Sequence, residues 1–157
     1  MRPFDRQRPL TSAIQNVPFR LRQLDRILSI ERASFGKDAW PRRLFRELYA
    51  DCGELFVAAK LGGRIAGYAV ACVEQGKAEI ASIAVHPDYR RRGAAVALMR
   101  LLLRALKKAG IRRVELMVRT ENASGRQLYR ALGFRRVRLV RRYYENGGDG
   151  FLMVRAI

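Results

Sequence analysis

The stretch Ser82-Ile83-Ala84-Val85-His86-Pro87-Asp88-Tyr89-Arg90-Arg91-Arg92-Gly93-Ala94-Ala95 decides how this chain is read. An apolar strand ends at His86-Pro87. Three arginines follow, and Gly93 then opens an apolar segment with helical spacing. The first N–H groups of a helix have no intrahelical acceptor and carry partial positive charge. With Gly93, Ala94 and Ala95 at that end, the backbone is uncovered and phosphate oxygens can reach it. Arg90, Arg91 and Arg92 add charge around it. The physics is that of an anion site. It is neither a P-loop, since GxxxxGK is absent, nor a dinucleotide fingerprint, since GxGxxG is absent.

Working outward, residues 55–60, 64–74 and 79–85 read as three strands, joined by turns at Gly62-Gly63 and Gln75-Gly76. Upstream, residues 1–16 hold two prolines and read as a flexible arm. Residues 17–22 alternate and suit a first strand. Leu24, Ile27, Leu28 and Ile30 predict a helix over 24–34, and residues 35–39 a loop. Pro41 opens a second helix that ends near Gly53. Downstream, a helix over 93–109 is closed by Gly110. A strand over 114–118, a helix over 122–132, and strands over 135–140 and 151–155 complete the chain. The order predicts one mixed α/β domain over 17–157, with a mostly antiparallel sheet of about seven strands and four helices.

The chain has 157 residues, enough for one domain, and 49% of them are hydrophobic. Its 32 Lys and Arg outweigh 14 Asp and Glu, for a formal charge of +18. Such a field attracts anions in general. The arginines are spread along the chain without interleaved aromatics, so no dedicated nucleic-acid site is expected. No apolar run is long enough for a membrane span and no signal-peptide pattern is visible, which suggests a cytoplasmic protein. Cys52 and Cys72 form no CxxC pair and are expected as free thiols in a reducing compartment. With His86 as the lone histidine, no metal site is expected.

Arg90-Arg91-Arg92-Gly93-Ala94-Ala95 resembles the acetyl-CoA motif Q/R-x-x-G-x-G/A of the GNAT N-acetyltransferases. Asn122-Ala123-Ser124-Gly125-Arg126-Gln127-Leu128-Tyr129, followed by Gly133-Phe134, resembles the second motif of the same family. Tyr143-Tyr144-Glu145-Asn146-Gly147-Gly148-Asp149-Gly150 is similar to the ending of the RimI-like protein N-terminal acetyltransferases, with Gly150 where alanine is usual. The resemblance implies the GNAT fold and acetyl-CoA as cofactor. Ile83, Val85, Arg90, Arg91, Arg92, Gly93, Ala94, Ala95, Asn122 and Tyr129 would bind it. Phe35, Tyr143 and Tyr144 would hold the substrate, with the 35–40 loop as the other wall of its groove.

The implied reaction is direct attack of an amine on the thioester. Backbone N–H groups near Val85 would stabilise the oxyanion, and Tyr129 would return a proton to the leaving thiolate. The base is where this chain departs from the family. Relatives carry a glutamate on the strand before the asparagine helix, and here that position is Met117. Glu115 lies two residues away, about 7 Å along the strand. Glu79, on the neighbouring strand, is the preferred candidate, because partial burial raises a carboxyl pKa. His86 falls in a variable loop and is not expected to act. The implied acceptor is a protein or peptide N-terminus, with ribosome association as one option. A lysine or small-molecule amine stays open. So does a catalytically weak module that binds CoA and an anionic partner such as RNA or the ribosome.

Overall fold

Residues 56–59 show how the sheet is dressed. Phe56 and Ala58 join one core cluster, and Val57 and Ala59 join the other. That is the period-two habit of a strand. All four are buried, so both faces are covered. The computed structural model, which describes residues 14–157, shows what covers them. The strands are β1 (Gln15–Pro18), β2 (Phe56–Leu61), β3 (Arg64–Glu74), β4 (Lys77–Val85), β5 (Arg113–Arg119), β6 (Arg135–Val140) and β7 (Gly150–Ala156). The helices are α1 (Leu24–Phe35), α2 (Arg42–Cys52), α3 (Ala94–Lys108) and α4 (Ala123–Ala131). This is the expected mixed α/β architecture, with seven strands in the order β1-β2-β3-β4-β5-β7-β6.

Each helix buries the stripe its sequence spacing marks. Leu24, Ile27, Leu28 and Ile30 of α1 pack with Phe45 of α2 against Phe56, Tyr68 and Val70. Leu98, Leu102 and Leu106 of α3 lie on the other face, against Val57, Ala69 and Ala71. Each such leucine contributes about 2 kcal/mol through burial. No helix among the described residues is long and apolar enough to cross a membrane.

All strand pairs are antiparallel except β4 with β5. That parallel ladder holds only Ala78 opposite Val114 and Glu79 opposite Glu115. Just beyond it, β4 carries a bulge against β3, where Val70 pairs Ser82 but Ala71 pairs Ile80. The extra residue, Ala81, bends the strand. β4 and β5 therefore diverge, and their backbone groups facing the gap lose strand partners.

Three expectations need amending. The first strand is Gln15–Pro18 rather than 17–22. The alternation in 17–22 is cut short because the Arg20 N–H donates to Gln23 Oε1 at 2.9 Å and closes a 3-10 turn over Leu21–Gln23. The arm expected over 1–16 lies outside the described residues up to 13, while Gln15 and Asn16 already pair with Lys60 and Ala59. The cysteines are not free thiols: Cys52 and Cys72 form a disulfide, with Cα atoms 5.2 Å apart. Cys52 ends α2 and Cys72 lies in β3, so only the docking of helix on sheet brings them together.

The bond closes a loop across a sequence separation of 20. Loop-closure entropy makes that worth roughly 3 kcal/mol. Reduction, or Cys72→Ser, should lower the denaturant midpoint accordingly. An unchanged midpoint on reduction would remove the disulfide from the account of stability.

Candidate active site

The gap between β4 and β5 joins two spaces. One, of about 820 Å³, is framed by the N-terminal ends of α3 and α4. That lies within the range of about 300–1,000 Å³ typical of ligand sites. The other is a chamber of about 170 Å³ bounded by α1, the turn after it, β4 and β5. Phe35, Asp38, Ile83, Arg119, Asn122 and Tyr129 line both, so they mark the passage between them.

The larger space is built for an anion. Arg91 and Gly93 have φ of +61° and +83°. That left-handed backbone aims the start of α3 into the groove, and at Gly93 a side chain would be strained. No side chain caps α3, and its first hydrogen bond runs from Ala97 N–H to Gly93 O at 3.0 Å. The amides of residues 94–96 are therefore free for a ligand. Ile83, Val85, Arg90, Arg91, Gly93, Ala94 and Ala95 all line this groove as expected. Arg90 has a structural task as well: its Nε donates to Val85 O at 3.0 Å and a terminal nitrogen to Ser34 Oγ at 3.4 Å. Arg92 lies away from the lining, with its guanidinium 5.7 Å from the Tyr89 ring centre. The donor set fits the diphosphate that the sequence resemblance implies.

Asn122 caps α4. Its Oδ1 accepts from Gly125 N–H at 2.9 Å and from Ser124 Oγ at 3.3 Å. A Cβ on Gly125 would come within 2.5 Å of the Asn122 amide, so glycine there lets the cap close. Tyr129, one face of α4 further on, is only 8% exposed. Its hydroxyl has no hydrogen-bond partner among the described residues. Burial, helped by Tyr144, pushes that phenol up to about 12, so it stays a proton donor.

The chamber brings together residues that the sequence reading did and did not single out. Phe35 and Tyr144 are there as expected, and so are Asp38 and Trp40 from the 35–40 loop. Tyr143 is not: it is 47% exposed and stands edge-on to Tyr144 at 4.9 Å. Arg119, which was not anticipated, ties the walls together. It reaches Asp38 at 3.4 Å and Asn146 at 3.1 Å, and covers the Tyr144 ring at 4.0 Å. Burial holds Tyr144 at about 12 despite that cation. The available signal was its place, closing β5 two residues after Met117 and so on the same strand face.

The carboxylates are distributed unexpectedly. Glu79 is exposed and lines neither space. Its pKa is raised, by partial burial first and by the neighbouring Glu115 second. Glu115 is held by Arg113 Nε at 2.9 Å. Met117 does line the chamber, as a thioether where the sequence resemblance implies a glutamate. A Cβ on Gly150 would sit 2.8 Å from Met117 Cε, so the two departures from the family pattern are in contact. Besides Asp38, the carboxylate that borders the chamber is Glu31 of α1, which the sequence reading did not single out.

Loss of the α4 cap is a direct test of this geometry. Asn122→Ala should lower stability by about 1 kcal/mol, whereas Asn122→Ser should retain most of it. Urea melts that do not separate the two variants would dismiss the cap.

Comparison with known proteins agrees with the geometry. The acetyltransferase (GNAT) family model matches residues 24–134. The N-alpha-acetyltransferase of Sulfurisphaera tokodaii is 32% identical, over 85% of this chain and 87% of its own. The N-alpha-acetyltransferase RimI of Mycobacterium tuberculosis is 38% identical over 76% and 77%. The crystal structure of the ribosomal-protein-S18-alanine N-acetyltransferase from Escherichia coli superposes with a TM-score of 0.81. It is 29% identical and covers 92% of this chain and 94% of its own. Members of this family use acetyl-CoA, which accounts for a helix mouth open to phosphate, and this chain belongs to the GNAT acetyltransferases.

Proposed function

We propose that this enzyme acetylates the α-amine of protein N-termini. The observation that carries the reading is the open passage past Tyr129 between an anion-binding groove and a narrow chamber. Two substrates can enter from separate spaces and meet at one point, which supplies proximity. The relatives named as N-alpha-acetyltransferases, and the ribosomal-protein-S18-alanine N-acetyltransferase that shares the fold, support this acceptor. The charge of +18 is compatible with recruitment to the ribosome.

When bound, acetyl-CoA supplies a thioester whose carbonyl carbon accepts the amine. The free amides at the start of α3 would grip the diphosphate, with Arg91 beside them. Asn122 holds the mouth of α4 in shape. Backbone N–H groups of β4 near Val85 would stabilise the charge on the thioester oxygen. Phe35 and Tyr144 flank the peptide end, with Arg119 fixing both walls. Tyr129, which keeps its proton, would supply it to the departing sulfur.

Three experiments test the assignment. A peptide panel assayed by thiol release should find substrates among free N-termini and not among N-blocked peptides carrying lysine; the opposite preference would reject the acceptor. On those substrates Tyr129→Phe should lower kcat by about 100-fold while leaving CoA affinity little changed. Because the raised phenol loses its proton only as pH climbs toward about 12, the wild type should show no alkaline loss from this group at ordinary assay pH. Gly93→Glu should abolish CoA binding in calorimetry, since it strains the backbone and places a negative charge where the phosphates sit. Wild-type affinity in that variant would relocate the diphosphate.

A further inference from the structure

Among the described residues Glu31 is the one charged side chain that is buried, at 2% exposure. Burying a carboxylate costs several kcal/mol unless it is hydrogen-bonded. Here it is. Oε1 accepts from the Trp40 N–H at 3.1 Å, and Oε2 accepts from the Tyr68 hydroxyl. The Tyr68 oxygen lies 2.8 Å from Ser82 Oγ. Tyr68 is fully buried, and its one proton is committed to the carboxylate. Ser82 must then donate to Tyr68, which leaves the Ser82 oxygen free to accept. Ser82 is part-exposed and lines the chamber. A line of oriented hydroxyls therefore runs from the chamber wall to a carboxylate that solvent barely reaches.

We propose that Glu31 is the terminal acceptor of the proton that the attacking amine must lose, reached through Ser82 and Tyr68. The proposal rests on the amine-acetylation reading above and names the base that Met117 cannot be. The protonated amine gives one proton to Ser82 Oγ. Ser82 passes its own to the Tyr68 oxygen, and Tyr68 passes its own to Glu31. The neutral nitrogen forms its bond to the acetyl carbon, the carbon–sulfur bond breaks, Tyr129 gives its proton to the sulfur, and the second proton of the nitrogen replaces it on Tyr129. Both hydroxyls of the relay end intact, and Glu31 returns its proton to solvent between turnovers.

The other charged and titratable groups around the chamber are occupied or neutral. Asp38 on the turn after α1 is held by Arg119 of β5, which also approaches Glu121 at 3.9 Å. Tyr129 of α4 and Tyr144 before β7 keep their protons to about 12. From α2, the neighbour of Tyr68 is the Phe45 ring, which carries no charge. Arg26 of α1 is turned to Ile65 O at 2.9 Å. Burial raises the Glu31 carboxyl above its ordinary value, with Tyr68 and Trp40 opposing. The sign follows: as pH falls, Glu31 takes up its proton earlier than an ordinary carboxylate, and activity is lost there.

The test measures thiol release from acetyl-CoA with a peptide that the wild type turns over, from mildly acid to mildly alkaline pH. Glu31→Gln should lower kcat about 100-fold and abolish the acid limb. CoA affinity by calorimetry and the far-UV spectrum should stay as in the wild type. Tyr68→Phe and Ser82→Ala, which cut the line while leaving Glu31 in place, should lower kcat in the same direction. Should Glu31→Gln fail to fold, Ser82→Ala carries the test alone, because it removes one exposed oxygen. A wild-type rate and acid limb in Glu31→Gln, or in Ser82→Ala where that stands in, overturns the proposal. So does a lower rate of Glu31→Gln with the acid limb unmoved, which marks a structural role. Glu79→Gln serves as the control and should leave the limb unchanged; its disappearance there would overturn Glu31 in favour of Glu79. A wild type that turns over no amine defeats the functional reading itself, and the relay with it.

Discussion

The site depends on the parallel ladder between β4 and β5 stopping after two residue pairs. The two strands are joined through α3, so they run parallel, and the bulge at Ala81 then steers β4 away. A continuous ladder would pair the facing backbone groups with each other. The divergence leaves them unpaired beside Tyr129 and opens a passage between the faces of the sheet. The buried clusters on either side keep the gap from collapsing, because α1 and α2 are anchored on one face and α3 on the other.

The anion site is a matter of backbone more than of side chains. The chain is strongly basic, yet two of the three consecutive arginines have internal partners. Arg90 holds Val85 O and Ser34, and Arg92 lies over Tyr89. Their diffuse positive field brings anions near. The directional grip belongs to the first amides of α3, which the left-handed turn at Gly93 leaves exposed.

On the acceptor side, Arg119 and Glu31 divide the labour. Arg119 locks Asp38, Asn146 and the Tyr144 ring into one frame, so the chamber has a defined width. Glu31 borders the opposite wall, with one hydrogen bond to each carboxylate oxygen, from Trp40 and from Tyr68. The apolar Met117 and the missing methyl at Gly150 fit one another sterically. Together they make an apolar wall where the sequence resemblance implies a carboxylate, and the buried charge at the chamber is Glu31.

The sequence by itself determined the order of elements, the helix mouth at Gly93, the cap at Asn122 and the family. Each is a local property: a period, a left-handed glycine, a side chain answering an amide three residues on. Only the tertiary structure decided which carboxylates face the chamber, that Cys52 meets Cys72, and that Tyr144 points inward while Tyr143 does not. Glu31 looked like any polar residue in a helical stripe, since burial is a property of what packs above it. Arg119 and Asp38 lie 81 residues apart along the chain, so their contact leaves no trace in spacing. Local chemistry is written in neighbours along the chain, whereas proton paths and substrate walls arise where distant segments are pressed together.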